Sequence, residues 1–256
     1  MHDNLVYVPF HVEQGNLQKA IAGAYSLNVM GLNVTVPYKQ EVISCLDCVE
    51  GLAEKIGAVN TLVRTENGFR GYNTDMMGLY RAMEEEGIAF EAEDMILLGA
   101  GGAARAAAFL CAEKGAKRVY LLNRSYEKAA VLAEEVNRAY ERNCILPMAL
   151  SEYEKLPEEK MTAIQGTSAG LYPNTEDAVI LDPAFYQHIS KAYDLIYKPE
   201  ETRFMKLVKE AGGEAYCGIR MLLYQGIIAY ELFLDTKVPE NVIRKVSALL
   251  QEKVKG

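Results

Sequence analysis

Apolar positions along the chain follow two periods. Short continuous apolar runs recur, and between them lie longer stretches in which apolar residues fall three and four apart; Gly, Pro and Asn mark most boundaries. Residues 5–10 read as a strand, 17–27 as a helix and 31–36 as a strand, with Pro37 as the first-turn proline of a further helix. Residues 58–64 and 69–72 flank Asn67-Gly68, a hairpin signal, and 74–86 is helical with Gly87 as its stop. From Met95 the alternation becomes regular, with strands at 95–98, 118–122, 144–149, 162–166 and 192–197. Helices are expected at 102–114, 125–140, 201–211, 219–234 and 239–253.

Strands separated by helices of this length imply a parallel sheet covered on both faces, so the fold class is α/β, with a junction in the region 74–94. Half of the 256 residues are hydrophobic and 24% are charged, which excludes disordered, collagenous and coiled-coil classes. A net charge of −8 disfavours nucleic acid and anionic membrane as partners. The most apolar stretch, 95–112, is interrupted by Arg105 and three glycines and reads as strand, turn and helix, not as a bilayer span. No secretory signal is visible, which predicts a cytoplasmic location. The five cysteines are scattered, and the Cys45-x-x-Cys48 pair lies inside a helical pattern with no second pair, so reduced thiols are expected. His2, His11 and His188 have no metal-ligand spacing, and no metal is expected.

Chemistry concentrates first at Gly99-Ala100-Gly101-Gly102-Ala103-Ala104, which follows a strand and opens a helix. The first Gly permits a tight turn, the second lets backbone approach a pyrophosphate, and Ala104 stands where a small residue allows helix to pack on strand. The anion would sit on the helix N-terminus. About twenty residues on, the next strand ends in Asn123-Arg124-Ser125, where an NAD site usually has a carboxylate for the ribose hydroxyls. Arg124, with Ser125 and Lys128, instead points to a 2′-phosphate and hence to NADP(H); a solvated helix-start arginine is the alternative.

In the first half, Asn33-Val-Thr35-Val-Pro-Tyr-Lys39 runs from a strand into a helix start, where a cation opposes the helix dipole. Asn73-Thr74-Asp75 closes the hairpin and opens the next helix. Taken singly, Asp75 reads as a cap and Lys39 as a solvated surface charge.

Taken together, these motifs resemble the shikimate dehydrogenase family. The resemblance rests on Asn33-Val-Thr-x-Pro-x-Lys39, Gly57-Ala-Val-Asn-Thr61, Gly71-Tyr-Asn-Thr-Asp75 and the Gly99–Ala104 turn, then on Asn123-Arg124, Thr167-Ser168-x-Gly170, Asp194-x-x-Tyr197-x-Pro199 and Gly218 with Met221-Leu222-x-x-Gln225. It implies an enzyme that reduces 3-dehydroshikimate to shikimate with NADPH in aromatic amino-acid biosynthesis. Its fold would be a Rossmann NADP-binding domain, residues 75–218, beside a smaller α/β substrate domain, residues 1–74 and 219–256. Lys39 and Asp75 would form the catalytic pair, Lys39 stabilising the alkoxide that hydride transfer generates and supplying its proton. Thr35, Asn60, Tyr197 and Gln225 would hold the substrate or the reactive end of the cofactor. Gly99, Ala100, Gly101, Gly102, Ala103, Asn123, Arg124, Ser125, Lys128, Thr167, Ser168 and Gly218 would bind NADP(H). The partners would be small molecules, and the chain a monomer or homodimer.

The sequence also departs from the family. The family's opening segment with two carboxylate-binding serines has no counterpart here, a gap of about 25 residues, the length of a βα unit. Strands at 5–10 and 31–36 would then have to re-pair. Gln165-Gly166 stands where the family commonly has Asn-Ala, and Arg220 would either clash with the cofactor or supply an anion contact. A catalytically impaired NADP-binding paralogue and a quinate/shikimate dehydrogenase are the other readings.

Overall fold

The computed structural model describes residues 5–255, with side chains through 253, and divides into two compact units, residues 1–73 and 74–256. His2 lies outside the described residues.

The first unit runs α1 (Leu17–Ser26), β1 (Gly31–Asn33), a 3₁₀ turn (Glu41–Cys45), β2 (Cys48–Val49), α2 (Gly51–Ile56), β3 (Thr61–Arg64) and β4 (Phe69–Tyr72). The sheet order is β1-β3-β4-β2, with β3 and β4 the expected antiparallel hairpin and β2 parallel to β4. Four-residue spacing turns Leu17 and Ile21 of α1 onto the sheet, where they join Val42, Ala53, Val59, Leu62 and Phe69 in one core.

Two expectations fail in this unit. Residues 5–10 form no strand, and Val6, Tyr7 and Phe10 are largely exposed. β1 is the edge strand and pairs with β3, so residues 5–10 have no ladder hydrogen bonds; Tyr7 Oη donates to Asn33 Oδ1 at 3.1 Å. The helix expected from Pro37 is a turn followed by the 3₁₀ segment. The carbonyl of Lys39, which a continuing helix would use, instead accepts from Val59 N at 2.8 Å. Cys45 therefore ends the 3₁₀ turn and Cys48 opens β2, its sulfur accepting from Arg70 Nε at 3.2 Å. All five cysteines are free thiols.

The second unit begins with α3 (Thr74–Glu85) and continues through β5 (Asp94–Leu98), α4 (Gly102–Glu113), β6 (Arg118–Asn123), α5 (Tyr126–Ala139), β7 (Ile145–Ala149) and β8 (Met161–Gln165). It ends with α6 (Pro183–Tyr186), β9 (Ile189–Asp194), α7 (Arg203–Glu210), β10 (Glu214–Cys217), α8 (Ile219–Leu234) and α9 (Glu240–Lys255). All six strands pair in parallel in the order β10-β9-β8-β5-β6-β7. Apolar runs such as Met95–Leu98 are fully buried because helices cover both faces. The chain winds to one side from β5 through β6 and β7, then returns to β8 on the other side, so the strand order reverses between β5 and β8. Clefts outside the carboxyl ends of strands at such a reversal are where α/β proteins bind ligands. No described helix is long and apolar enough to cross a membrane.

α8 lies along α3 in this second unit. Gly78 makes that approach possible, since a Cβ there would stand 2.6 Å from Gln225 N.

Candidate functional site

At the reversal, the turn after β5 and the loop after β8 interlock. Gly99 has φ +103°, and a Cβ on it would lie 2.7 Å from Thr167 Cγ2. A Cβ on Gly166 would lie 2.9 Å from Ala104 Cα. Both positions are closed to side chains by the protein itself. Gly101 and Gly102 differ, because space beyond them is open and both are exposed. Gly101 is the N-cap of α4 and supplies no side-chain cap, so the first-turn N–H groups face an open cradle beside Ala100 and Ala103. An uncapped helix end under an open, glycine-lined surface fits the pyrophosphate of a dinucleotide.

Beyond β6, Asn123 Nδ2 donates to Ser125 O at 2.8 Å and fixes the turn that carries exposed Arg124. Ser125 N-caps α5, accepting from Lys128 N, and donates its hydroxyl to Glu127 Oε2 at 2.8 Å. The main-chain N–H of Glu127 and this hydroxyl hold the Glu127 carboxyl below its ordinary pKa. Arg124 and Lys128 thus bring positive charge to the strand end that the next ribose would meet, with one carboxylate among them.

On the opposite flank of the cleft, Thr167 N donates to Gln165 Oε1 at 2.5 Å, and Thr167 Oγ1 accepts from Ala169 N at 3.1 Å. Ser168 is exposed beside it. Tyr197 follows β9 and is 43% exposed. Gly218 N donates to Ile196 O at 2.9 Å, and a Cβ at 218 would lie 2.4 Å from Leu195 O, so the start of α8 hangs from the end of β9. Asp75 lies in the first turn of α3, one turn before Gly78 and hence near Gln225 of α8.

The first unit carries the other expected polar residues on one edge. The segment after β1 runs beside the segment before β3, joined by Val34 N to Asn60 O (2.8 Å) and Val59 N to Lys39 O (2.8 Å). Asn33 Nδ2 donates to Thr61 Oγ1 at 3.0 Å, and Thr61 Oγ1 in turn donates to Asn60 Oδ1 at 3.2 Å. Thr35, Lys39 and Asn60 are thereby held together by backbone pairing, with Asn60 buried and Thr35 exposed. Lys39 belongs to the first unit and Asp75 to the second.

Two further polar groups stand out, the first around Arg220, for which the sequence left a clash with the cofactor and an anion contact as alternatives. Arg220 pairs with Glu85 Oε2 (2.5 Å) and Glu86 Oε1 (3.0 Å), while Tyr224 Oη donates to Glu85 at 2.7 Å. Burial raises the Glu86 carboxyl, an effect that Arg220 opposes. The second group is the fully buried Gln165, Asp194 and Thr202. Burial raises Asp194 to about 7 against the hydrogen bonds from Thr202 and Ile196 N. The available sequence signal was the place of Asp194 at the head of the Asp194-x-x-Tyr197-x-Pro199 motif. Among the described residues, no group of three or more His, Cys, Asp or Glu could hold a metal ion.

An all-parallel sheet with a glycine turn at its point of reversal and cationic residues after the second strand defines a dinucleotide-binding protein of the Rossmann class. Residues 1–62 match the family described as shikimate dehydrogenase substrate binding domain, 82–176 shikimate/quinate 5-dehydrogenase, and 218–246 the shikimate 5′-dehydrogenase C-terminal domain. A shikimate dehydrogenase (NADP(+)) of Desulforamulus reducens is 40% identical over 95% of this chain and 84% of its own length. The chain belongs to the shikimate dehydrogenase family. A shikimate dehydrogenase solved in complex with NADP+ superimposes with a TM-score of 0.85 at 32% identity, covering 97% of this chain and 85% of that one. A chorismate mutase/shikimate 5-dehydrogenase fusion protein from Clostridium acetobutylicum gives 0.84 at 32% identity, covering 96% and 85%.

Proposed function

We propose that this chain is an NADP-dependent oxidoreductase interconverting 3-dehydroshikimate and shikimate, with Lys39 and Asp75 as its catalytic pair. The observation that carries the reading is the backbone pairing of the Lys39 and Asn60 segments. That pairing keeps Lys39 and the buried Asn60 on neighbouring segments, which supports a shared role in recognising a hydroxylated ring and its ketone. As a functional division, residues 75–218 would serve the cofactor, and 1–74 with 219–256 the substrate. NADP(H), when bound, supplies the hydride. Gly99 to Ala103 would receive its pyrophosphate, Arg124, Ser125 and Lys128 its 2′-phosphate, and Thr167, Ser168 and Gly218 its reactive end. Asn123 would shape the turn that presents Arg124. Thr35, Asn60, Tyr197 and Gln225 would orient the substrate, and Lys39 would donate a proton to the oxygen that becomes the alcohol, with Asp75 fixing the ammonium. Small molecules would be the partners of a cytoplasmic monomer or homodimer.

The test is NADP+ reduction by the whole chain with excess shikimate, with quinate in parallel and Lys39→Ala as control. A shikimate-dependent rate that falls at least about 1,000-fold in the variant, with NADPH affinity retained, is expected. Equal rates in variant and parent would overturn the assignment of Lys39. A rate with quinate alone would replace the substrate, and NADPH binding without any rate would mark a cofactor-binding paralogue.

A further inference from the structure

Gln165, Asp194 and Thr202 are fully buried polar side chains at the carboxyl ends of β8 and β9 and the N-cap of α7. Gln165 and Asp194 are register partners across the two strands. Gln165 Oε1 accepts from Thr167 N at 2.5 Å, while its Nε2 donates to Ala169 O at 3.2 Å and to Asp194 Oδ1 at 3.4 Å. Its main-chain oxygen accepts from Leu195 N at 3.0 Å. Asp194 Oδ1 also accepts from Ile196 N at 2.9 Å, and Oδ2 from Thr202 Oγ1 at 2.6 Å. Thr202 Oγ1 then accepts from Met205 N at 3.3 Å.

One knot of hydrogen bonds therefore ties together three segments at the carboxyl end of the sheet. They are the loop 166–170, the segment that leads into Tyr197, and the start of α7. Burying a carboxylate and a carboxamide is a costly way to join two strand ends, and an apolar pair of similar volume would serve stability as well. What hydrogen bonds add is direction. Gln165 turns the Thr167 amide inward, and Thr167 Oγ1 is engaged by Ala169 N, which sets how this residue faces the cleft. The margin is small: the Thr167 methyl would touch a Cβ at Gly99, and Gly166 lies against Ala104, so the loop and the glycine turn cannot move independently.

We infer that the Gln165–Asp194–Thr202 network is the positioning element for the reactive end of the dinucleotide, with Gln165 the residue that aims Thr167. The inference rests on the proposed cofactor site and goes beyond it, because none of the three side chains needs to touch the ligand.

Gln165→Met keeps length and burial but removes the side-chain hydrogen bonds. The experiment compares parent and variant for affinity toward 2′,5′-ADP, which has no nicotinamide, and toward NADPH, and for kcat with shikimate and NADP+. The expected result is unchanged 2′,5′-ADP affinity within twofold and a 10- to 100-fold lower kcat. The deuterium isotope effect from shikimate labelled at the oxidised carbon should rise as hydride transfer becomes limiting. A kcat within twofold of the parent, or loss of 2′,5′-ADP affinity in step with kcat, overturns it. A parent without shikimate-dependent activity defeats the proposed reaction and not the network, which is then read from binding. In that case NADPH affinity should fall at least fivefold with 2′,5′-ADP unchanged, and equal NADPH affinity overturns it. If Gln165→Met does not fold, Thr202→Val, which keeps the shape of the side chain but removes the hydroxyl that donates to Asp194 Oδ2, is read by the same criteria.

Discussion

Gln225 of α8 packs its backbone onto Gly78 of α3, and a methyl group at position 78 would stand 2.6 Å from the Gln225 amide nitrogen and 3.0 Å from its Cα. Both atoms belong to helical main chain, so neither can swing aside. Gly78→Ala should therefore push the two helices apart, costing about 1–3 kcal/mol in stability. Because Asp75 lies one turn before Gly78, the same variant should lower kcat/KM for shikimate about tenfold or more. Urea unfolding and steady-state kinetics check the two parts; a variant of parental stability would refute the steric argument.

Asp194 gives stability a pH dependence of defined sign. Its folded pKa, about 7, lies above the ordinary 3.8, so between these values the folded chain holds a proton that the unfolded chain has released. Stability from this group is therefore present at low pH and lost as pH rises toward and through 7, by about 4 kcal/mol over the whole interval. Asp194→Asn cannot ionise, and its melting temperature should change less between pH 5 and pH 8 than that of the parent. Parallel melting profiles would refute the assignment.

At the end of β6 the prediction concerns charge. Arg124→Ala should weaken NADPH about 10- to 100-fold while leaving NADH nearly unaffected, since the guanidinium would meet only the 2′-phosphate. Glu127 acts in the opposite sense: it takes the one hydroxyl proton of Ser125, which a phosphate oxygen would otherwise accept. Glu127→Gln should tighten NADPH by a few-fold. Titration calorimetry with both nucleotides tests the pair, and equal losses of NADPH and NADH in Arg124→Ala would contradict it.

The second unit was legible in the sequence because its signals are local. A buried parallel strand is a continuous apolar run, and a glycine turn between strand and helix leaves a short motif. β5, α4, β6 and α5 fall where the periodicity puts them. β10 was not read, since Glu214-Ala-Tyr-Cys217 at the sheet edge is half-buried and has no apolar run. The first unit was harder. Lys39 sits in a turn, not a helix, because its carbonyl pairs with Val59, a contact between residues far apart in sequence. Residues 5–10 have a strand's composition without a strand's partner, and composition alone cannot supply one. The residues proposed for the site come from short motifs, whereas Gln165 leaves no such local signal, because its partner Asp194 lies on the next strand.

The glycines of the β5–α4 turn differ in what requires them. Gly99 is demanded by the chain's own packing, since its φ is positive and a Cβ on it would meet Thr167. Gly101 and Gly102 are not, since a side chain on either would extend into open space, and a residue richer in helix propensity at 102 would strengthen the start of α4. Glycine at both positions leaves the first-turn N–H groups of α4 open to an occupant, at a cost to the start of the helix.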